Sequence, residues 1–232
     1  MTLTVPPIPA VTIPVTGKNG LFPVRRIYCV GRNYAAHVRE MGMDPSREAP
    51  FFFCKPTDAI VVAPVGAGAQ IAYPLATEQF HFEIELVAAI GRPGRNVSVE
   101  HANSHIWGYG VGIDMTRRDL QIAARDRGRP WEPGKAFDQS APVSLLHPAS
   151  EVGHPAAGDI WLQVNGQDRQ RSNLDKLIWS VPEIVANLST LFELQPGDLI
   201  FTGTPEGVGP VHSGEVMLGG ITGLTDIEVR VA

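Results

Sequence analysis

The chain has 232 residues, 44% hydrophobic and 19% charged, enough for one domain with a sizeable core. A formal net charge of −5, with no dense Lys/Arg stripe, argues against a nucleic-acid partner. Cys29 and Cys54 are the two cysteines, each in a strand-like apolar run; reduced, buried thiols in a cytosolic protein are expected rather than a disulfide scaffold.

Residues 1–16 are Pro-rich and lack the basic start and continuous apolar core of a signal peptide. They read as a loose or edge-hugging arm, and the expected division is an arm over 1–22 and a single domain over 23–232. A strand is expected over 26–30, then Asn33 as N-cap of a short helix over 34–41, stopped by Gly42 and Pro45. Strands follow over 51–55 and 60–63. Residues 59–76 are uncharged, but Pro64, Gly66, Gly68 and Pro74 break them into short strands, so no membrane span is expected. Further strands are expected over 80–90 and 106–114.

Thr116 opens a Thr-x-x-Asp pattern for a helix to about 127, ended by Gly128 and Pro130. Asn165-Gly166 between apolar runs signals a hairpin. Ser180-Val181-Pro182-Glu183 is a capping box before a helix whose Ile184, Val185, Leu188, Leu191 and Phe192 recur at core spacing. Strands over 199–202 and 227–231 complete the chain. Helices are too few to cover a parallel sheet on both faces, so the fold class expected is mixed α+β and β-rich, a roll or sandwich with peripheral short helices.

The stretch His81-Phe82-Glu83-Ile84-Glu85-Leu86 alternates polar and apolar residues at the two-residue period of a strand. Adjacent carboxylates repel unless a cation lies between them. Asp114 ends another apolar run, and three hard oxygen donors without a Cys or His cluster suit Mg²⁺ or Mn²⁺ better than Zn²⁺. A solvated polar face on an edge strand would show the same alternation.

His37 and Glu40, three apart, share a helix face, and a carboxylate that fixes a histidine tautomer makes a general base. An exposed surface pair has the same spacing. Lys135 stands alone after a Pro/Gly turn, either solvated or set against a developing oxyanion. Thr202-Gly203-Thr204-Pro205 can present backbone N–H groups to an anion, although the Gly-Lys-Ser/Thr ending of a P-loop is missing. Gly108, Gly110 and Gly112 make a poor dinucleotide fingerprint and read as tight-turn glycines. Arg117, Arg118 and Gln121 fall just after Asp114, whereas Arg125, Arg127 and Arg129 read mainly as a solvated face, with contact to a ligand carboxylate as the alternative.

Taken in order, these segments resemble the fumarylacetoacetate hydrolase family in its short single-domain form. The resemblance rests on Gly31-Arg32-Asn33-Tyr34 with His37 and Glu40, Phe53-Cys54-Lys55-Pro56, His81-x-Glu83-x-Glu85, Gly112 through Gln121, Lys135-Ala136-Phe137-Asp138, and Gly197 through Pro205. It implies a β-sandwich roll, a homodimer, and Mg²⁺ or Mn²⁺ on Glu83, Glu85 and Asp114. His37 and Glu40 match a water-activating pair on a lid; Lys135 and Gln121 match groups at the keto-acid end or the oxyanion. Arg32, Arg118, Gly203 and Thr204 are the expected substrate-binding set.

Residues 128–138 are most similar to the family's hydrolases of fumarylpyruvate in gentisate-type aromatic degradation. The implied reaction is C–C cleavage of a 2,4-diketo acid, in a cytoplasmic enzyme whose catalytic domain is 23–232. The alternatives are another acylpyruvate hydrolase, an oxaloacetate decarboxylase, or a non-catalytic β-roll binding module. The Pro-rich arm has no assignable role, and Ala36 stands where many relatives carry an acid.

Overall fold

The computed structural model describes residues 4–7, 9–17, 19–40, 42 and 48–232. In chain order the elements are β1 (Thr12–Pro14), β2 (Leu21–Pro23), β3 (Arg26–Gly31), α1 (Ala35–Glu40), β4 (Phe51–Lys55), β5 (Ile60–Val62) and β6 (Ala69–Ile71). There follow β7 (Phe80–Phe82), β8 (Ile84–Ile90), α2 (Val99–Ala102), β9 (Ile106–Ile113), β10 (Thr116–Arg117), α3 (Arg118–Asp126) and α4 (Glu132–Lys135). The last part holds β11 (Ala141–Val143), β12 (His147–Pro148), α5 (Ala149–Val152), β13 (Asp159–Val164), β14 (Gln167–Asn173), α6 (Val181–Leu191), β15 (Asp198–Phe201), β16 (Gly209–Pro210), β17 (Val216–Ile221) and β18 (Ile227–Val231).

An eight-stranded mixed sheet, ordered β4-β3-β15-β8-β9-β11-β5 with β12 beside β9, faces a five-stranded sheet ordered β14-β13-β17-β18-β6. A three-stranded ribbon, β10-β7-β16, closes one end. This is the expected β-rich roll with peripheral helices. Strand β8 is buried along its whole length. Ile84, Leu86, Ala88 and Ile90 enter the core shared with the five-stranded sheet, while Val87 and Ala89 enter a second core on the opposite face.

That second core explains the N-terminal arm. Strands β1 and β2 form a hairpin whose Ile13 and Phe22 are buried against Val87, Leu199 and Phe201. Leu146 donates its N–H to the Pro14 carbonyl at 3.0 Å and accepts from Thr16 N–H at 2.9 Å. From Thr12 onward the arm is therefore a seal on the sheet and not a loose tail.

Several local expectations are corrected. Asn33 does not cap α1; its side chain donates to the carbonyls of Trp179 (2.9 Å) and Thr202 (2.8 Å) and accepts from Trp179 N–H (2.7 Å). Helix α1 is described through Glu40; the expected stop at Pro45 lies outside the described residues. Thr116 does not cap α3 because its hydroxyl is committed to Asp114 O (3.0 Å) and Lys135 Nζ (2.7 Å), so the helix starts at Arg118. The glycines of β9 are in-strand residues rather than turns: a Cβ on Gly108 would lie 2.1 Å from the His147 carbonyl oxygen. Leu191 and Phe192 are exposed, since the helix ends there, and Cys54 is exposed on the edge strand β4. The Asn165-Gly166 hairpin forms as expected, with φ of 49° and 75°.

Candidate active site

The ladder between β8 and β9 brings the three acids together. Glu85 lies opposite Gly112, Ile84 opposite Ile113, and Asp114 donates its N–H to the Glu83 carbonyl at 2.8 Å. One carboxylate oxygen from each of Glu83, Glu85 and Asp114 lies within 4.8 Å of the other two, and all three residues are buried. They face a cleft open to solvent, whose walls also carry His37, Gln121, Lys135 and Trp131.

Three cations surround the acids. Lys135 Nζ donates to Glu83 Oε2 (2.8 Å), Asp114 Oδ2 (2.7 Å) and Thr116 Oγ1 (2.7 Å). Lys55 Nζ lies 2.8 Å from Asp114 Oδ1, an ion pair without hydrogen-bond alignment. It donates instead to the Met115 carbonyl at 3.1 Å and, in a short contact, to the Lys135 carbonyl. Arg118 reaches Glu83 Oε1 at 3.4 Å.

The charges divide unevenly. Burial works to raise the Glu83 carboxyl, but Lys135 and Arg118 outweigh it and hold it below the usual range. Burial, reinforced by Asp114 and Glu83, drives Glu85 well above that range, and the Gly203 N–H at 2.7 Å is its hydrogen-bonded counterweight. Burial also works to lower the Lys135 ammonium, yet Asp114 and Glu83 raise it, so it stays charged. A buried, oxygen-only donor set with one under-compensated carboxylate fits Mg²⁺ or Mn²⁺.

His37 lines the same cavity from α1. Its Nδ1 is 3.3 Å from Glu40 Oε2, and burial holds the imidazole below its usual pKa despite Glu83 and Glu40. Glu40 lies behind His37, outside the cavity lining, where its two oxygens also accept from Gly207 N–H at 3.2 and 3.1 Å. Gln121 Oε1 accepts from Arg118 Nη1 at 2.8 Å, which leaves the Gln121 amide N–H groups as donors.

The fumarylacetoacetate (FAA) hydrolase C-terminal family profile matches residues 26–232. The chain belongs to the fumarylacetoacetate hydrolase family. A fumarylpyruvate hydrolase of a Ralstonia species is 49% identical over 189 residues, 82% of this chain and 96% of its own. A crystal structure of fumarylpyruvate hydrolase from Pseudomonas aeruginosa, in complex with Mn²⁺ and pyruvate, superposes with a TM-score of 0.98 at 60% identity, covering 100% of this chain and 99% of that one. A human mitochondrial oxaloacetate tautomerase is 40% identical over 207 residues, 89% of this chain and 91% of its own.

Of the residues singled out from sequence, Arg32, Arg118, Thr204, Gln121, Lys135 and His37 share the cavity lining with the three acids. Gly203 spends its N–H on Glu85 rather than offering it to the cavity. Arg117 turns away, its guanidinium 4.3 Å from the Phe137 ring centroid. Arg125 lines the cavity, whereas Arg127 and Arg129 are exposed outside it.

Sequence reading gave no role to Lys55 or Gln170. Lys55 stood inside an otherwise apolar strand and within the Phe53-Cys54-Lys55-Pro56 segment that carries the resemblance, and neither signal said what it contacts. Gln170 is 1% exposed; it accepts from Ile84 N–H (3.0 Å) and donates to Thr204 Oγ1 (2.9 Å) and the Pro205 carbonyl (2.8 Å). It thereby ties the acid-bearing strand to the turn at Thr204. The β-branched and apolar wall of the cavity, including Phe53, Ile122 and Trp131, was also unforeseen.

Proposed function

We propose that this chain is a metal-dependent hydrolase that cleaves fumarylpyruvate to fumarate and pyruvate, in gentisate-type aromatic degradation. The observation that carries the reading is one cavity holding both the converged carboxylates of Glu83, Glu85 and Asp114 and the buried His37 backed by Glu40. Glu83, Glu85 and Asp114 would hold the ion, which supplies Lewis-acid stabilisation of the pyruvate enolate.

The remaining chemistry belongs to the side chains. Glu40 keeps the proton on His37 Nδ1, so Nε2 is the basic nitrogen. That nitrogen takes a proton from water as the water oxygen attacks the C4 carbonyl. Gln121 donates to the resulting oxyanion and the buried Lys135 charge stabilises it; positioned donors of this kind contribute about 3 kcal/mol. Collapse of the tetrahedral adduct breaks the C3–C4 bond. The fumaryl group leaves as the acid, and the imidazolium returns its proton to C3 of the departing enolate. Oxaloacetate decarboxylation or tautomerisation needs no attacking water, so it would leave the His37–Glu40 pair without that task.

The same reading carries a cytoplasmic homodimer with a single catalytic domain over 23–232. Support comes from β4, an edge strand whose Phe51, Phe52 and Phe53 are half-buried, since open strand edges are ordinarily covered. Among the described residues, no helix is long and apolar enough to cross a membrane.

The deciding assay follows loss of diketo-acid absorbance across fumaryl-, maleyl- and acetylpyruvate, with oxaloacetate turnover measured in parallel. The expected result is the highest kcat/KM on fumarylpyruvate; an equal or higher value on acetylpyruvate or oxaloacetate would overturn the assignment.

A further inference from the structure

Helix α3 lines the cavity with Arg118, Gln121, Ile122 and Arg125, the i, i+3, i+4 and i+7 positions of one helical face. At a rise of about 1.5 Å per residue, the Arg125 Cα lies roughly 10 Å along the axis from that of Arg118. Arg118 contacts Glu83, so the face runs from the acid cluster to a second cation. Long helical side chains lean toward the helix N-terminus, which directs Arg125 back over the cavity. Between the two ends stand Ile122 and the rings of Phe53 and Trp131, whose centroids are 5.8 Å apart.

Arg32 faces the same space from the end of β3. Its backbone is left-handed, with φ of 59°, a conformation that costs a non-glycine residue free energy and clusters at functional sites. Its guanidinium lies 5.4 Å from the Phe51 ring centroid, and it forms no ion pair among the described residues. Arg125 meets Asp126 Oδ1 through Nε (3.0 Å) and Nη2 (2.9 Å), an exposed pair of neighbours that is weak in water and leaves Nη1 uncommitted.

We infer that Arg125 and Arg32 form a second anion subsite, which selects 2,4-diketo acids bearing a distal carboxylate. This inference rests on the hydrolase reading above. Six C–C bonds of about 1.5 Å put the two carboxylates of extended fumarylpyruvate roughly 7–8 Å apart. That matches a ligand with its keto-acid end at the carboxylate cluster and its distal carboxylate beneath the arginines. The flat enone lies against Phe53 and Trp131. Without the distal charge, Arg32 would face this wall with no ion-pair partner among the described residues, and Arg125 with only its exposed neighbour Asp126.

The test compares Arg125→Met, Arg32→Met and the double variant with the unsubstituted Mn²⁺-loaded enzyme. Steady-state rates are measured on fumarylpyruvate and acetylpyruvate, together with product inhibition by fumarate. The ratio of kcat/KM for fumarylpyruvate over acetylpyruvate falls about 10–100-fold in the double variant, the size of a lost charged hydrogen bond. The fumarate inhibition constant rises by a similar factor. Arg125→Met alters an exposed side chain and keeps the test valid should Arg32→Met fold poorly. A ratio and inhibition constant within twofold of the unsubstituted enzyme in all variants would overturn the subsite while leaving the hydrolase reading intact. Absence of fumarylpyruvate turnover in the unsubstituted enzyme would overturn both together.

Discussion

The backbone N–H of Gly203 donates to Oε2 of Glu85 at 2.7 Å, so the turn after β15 grips the most poorly compensated acid of the cluster. Gly203 has φ of +100°, and a Cβ there would lie 2.6 Å from the Cβ of Asn33. Asn33 cannot yield, because its amide bonds Trp179 and the Thr202 carbonyl on two sides. Gly203→Ala therefore shifts the turn. A left-handed non-glycine residue costs about 1–2 kcal/mol, which for a chain of this size lowers Tm by about 2–8 °C. The Mn²⁺ dissociation constant rises about 10-fold or more, as when a hydrogen bond supporting a metal ligand is lost. Calorimetric titration and thermal scans measure both; Mn²⁺ affinity within twofold and an unchanged Tm would refute this role.

Glu40→Gln removes the charge that stabilises a protonated His37 and the group that fixes its tautomer, at 3.3 Å from Nδ1. The expected effect is a fall in kcat of about 10²–10⁴-fold with KM little changed. Burial already holds His37 below its usual 6.5, so the acid limb of the unsubstituted enzyme lies below that pH. The Glu40 carboxylate raises the His37 pKa, so its loss moves the limb further down. A pH–rate profile reads both effects. Turnover within threefold of the unsubstituted enzyme would remove Glu40 from the mechanism.

What sequence could and could not reveal follows from the range of the interactions. The alternation around Glu83 and Glu85, the Asn165-Gly166 turn and the Ser180 capping box are local, and each forms within a few residues. Thr116 misled because its hydroxyl is claimed by Lys135, 19 residues later, before it can cap α3. Lys55 and Gln170 act on backbone groups 60 and 86 residues away, a pairing set by sheet order that no local pattern encodes. Arg125 read as solvated because its partners in the cavity wall come from other elements. The N-terminal arm was opaque for the same reason: the surface it seals exists only after β8, β9 and β15 have paired.

Glu85 forms no ion pair with lysine or arginine among the described residues, in contrast to Glu83 and Asp114. Glu85→Gln should therefore abolish Mn²⁺ binding while stabilising the metal-free fold. The sign follows from its pKa. A carboxyl raised in the folded state holds its proton while the unfolded chain releases it, so metal-free stability falls as pH rises above about 4.5. In chelator, the variant melts above the unsubstituted protein, and the gap widens from pH 5 to pH 8. Electron paramagnetic resonance of free Mn²⁺ and paired melting curves test this. Exhaustive chelation of the unsubstituted enzyme abolishes turnover, and Mg²⁺ or Mn²⁺ restores it. Undiminished Mn²⁺ binding by Glu85→Gln would exclude it as a ligand.

His147 gives a pH effect remote from the chemistry. Its Nε2 accepts the Thr225 N–H at 2.9 Å and therefore has to be unprotonated in the fold. Burial lowers its pKa from the usual 6.5, with Glu151 opposing more weakly. The unfolded chain takes up a proton near pH 6.5 while the folded chain resists until lower pH. This contribution to stability is thus complete above about 6.5 and is lost as pH falls through the folded value. His147→Gln keeps an acceptor for Thr225 but cannot titrate, so its Tm declines less between pH 7 and pH 5 than that of the unsubstituted protein. Parallel pH–Tm curves for the two proteins would show that His147 does not carry the effect.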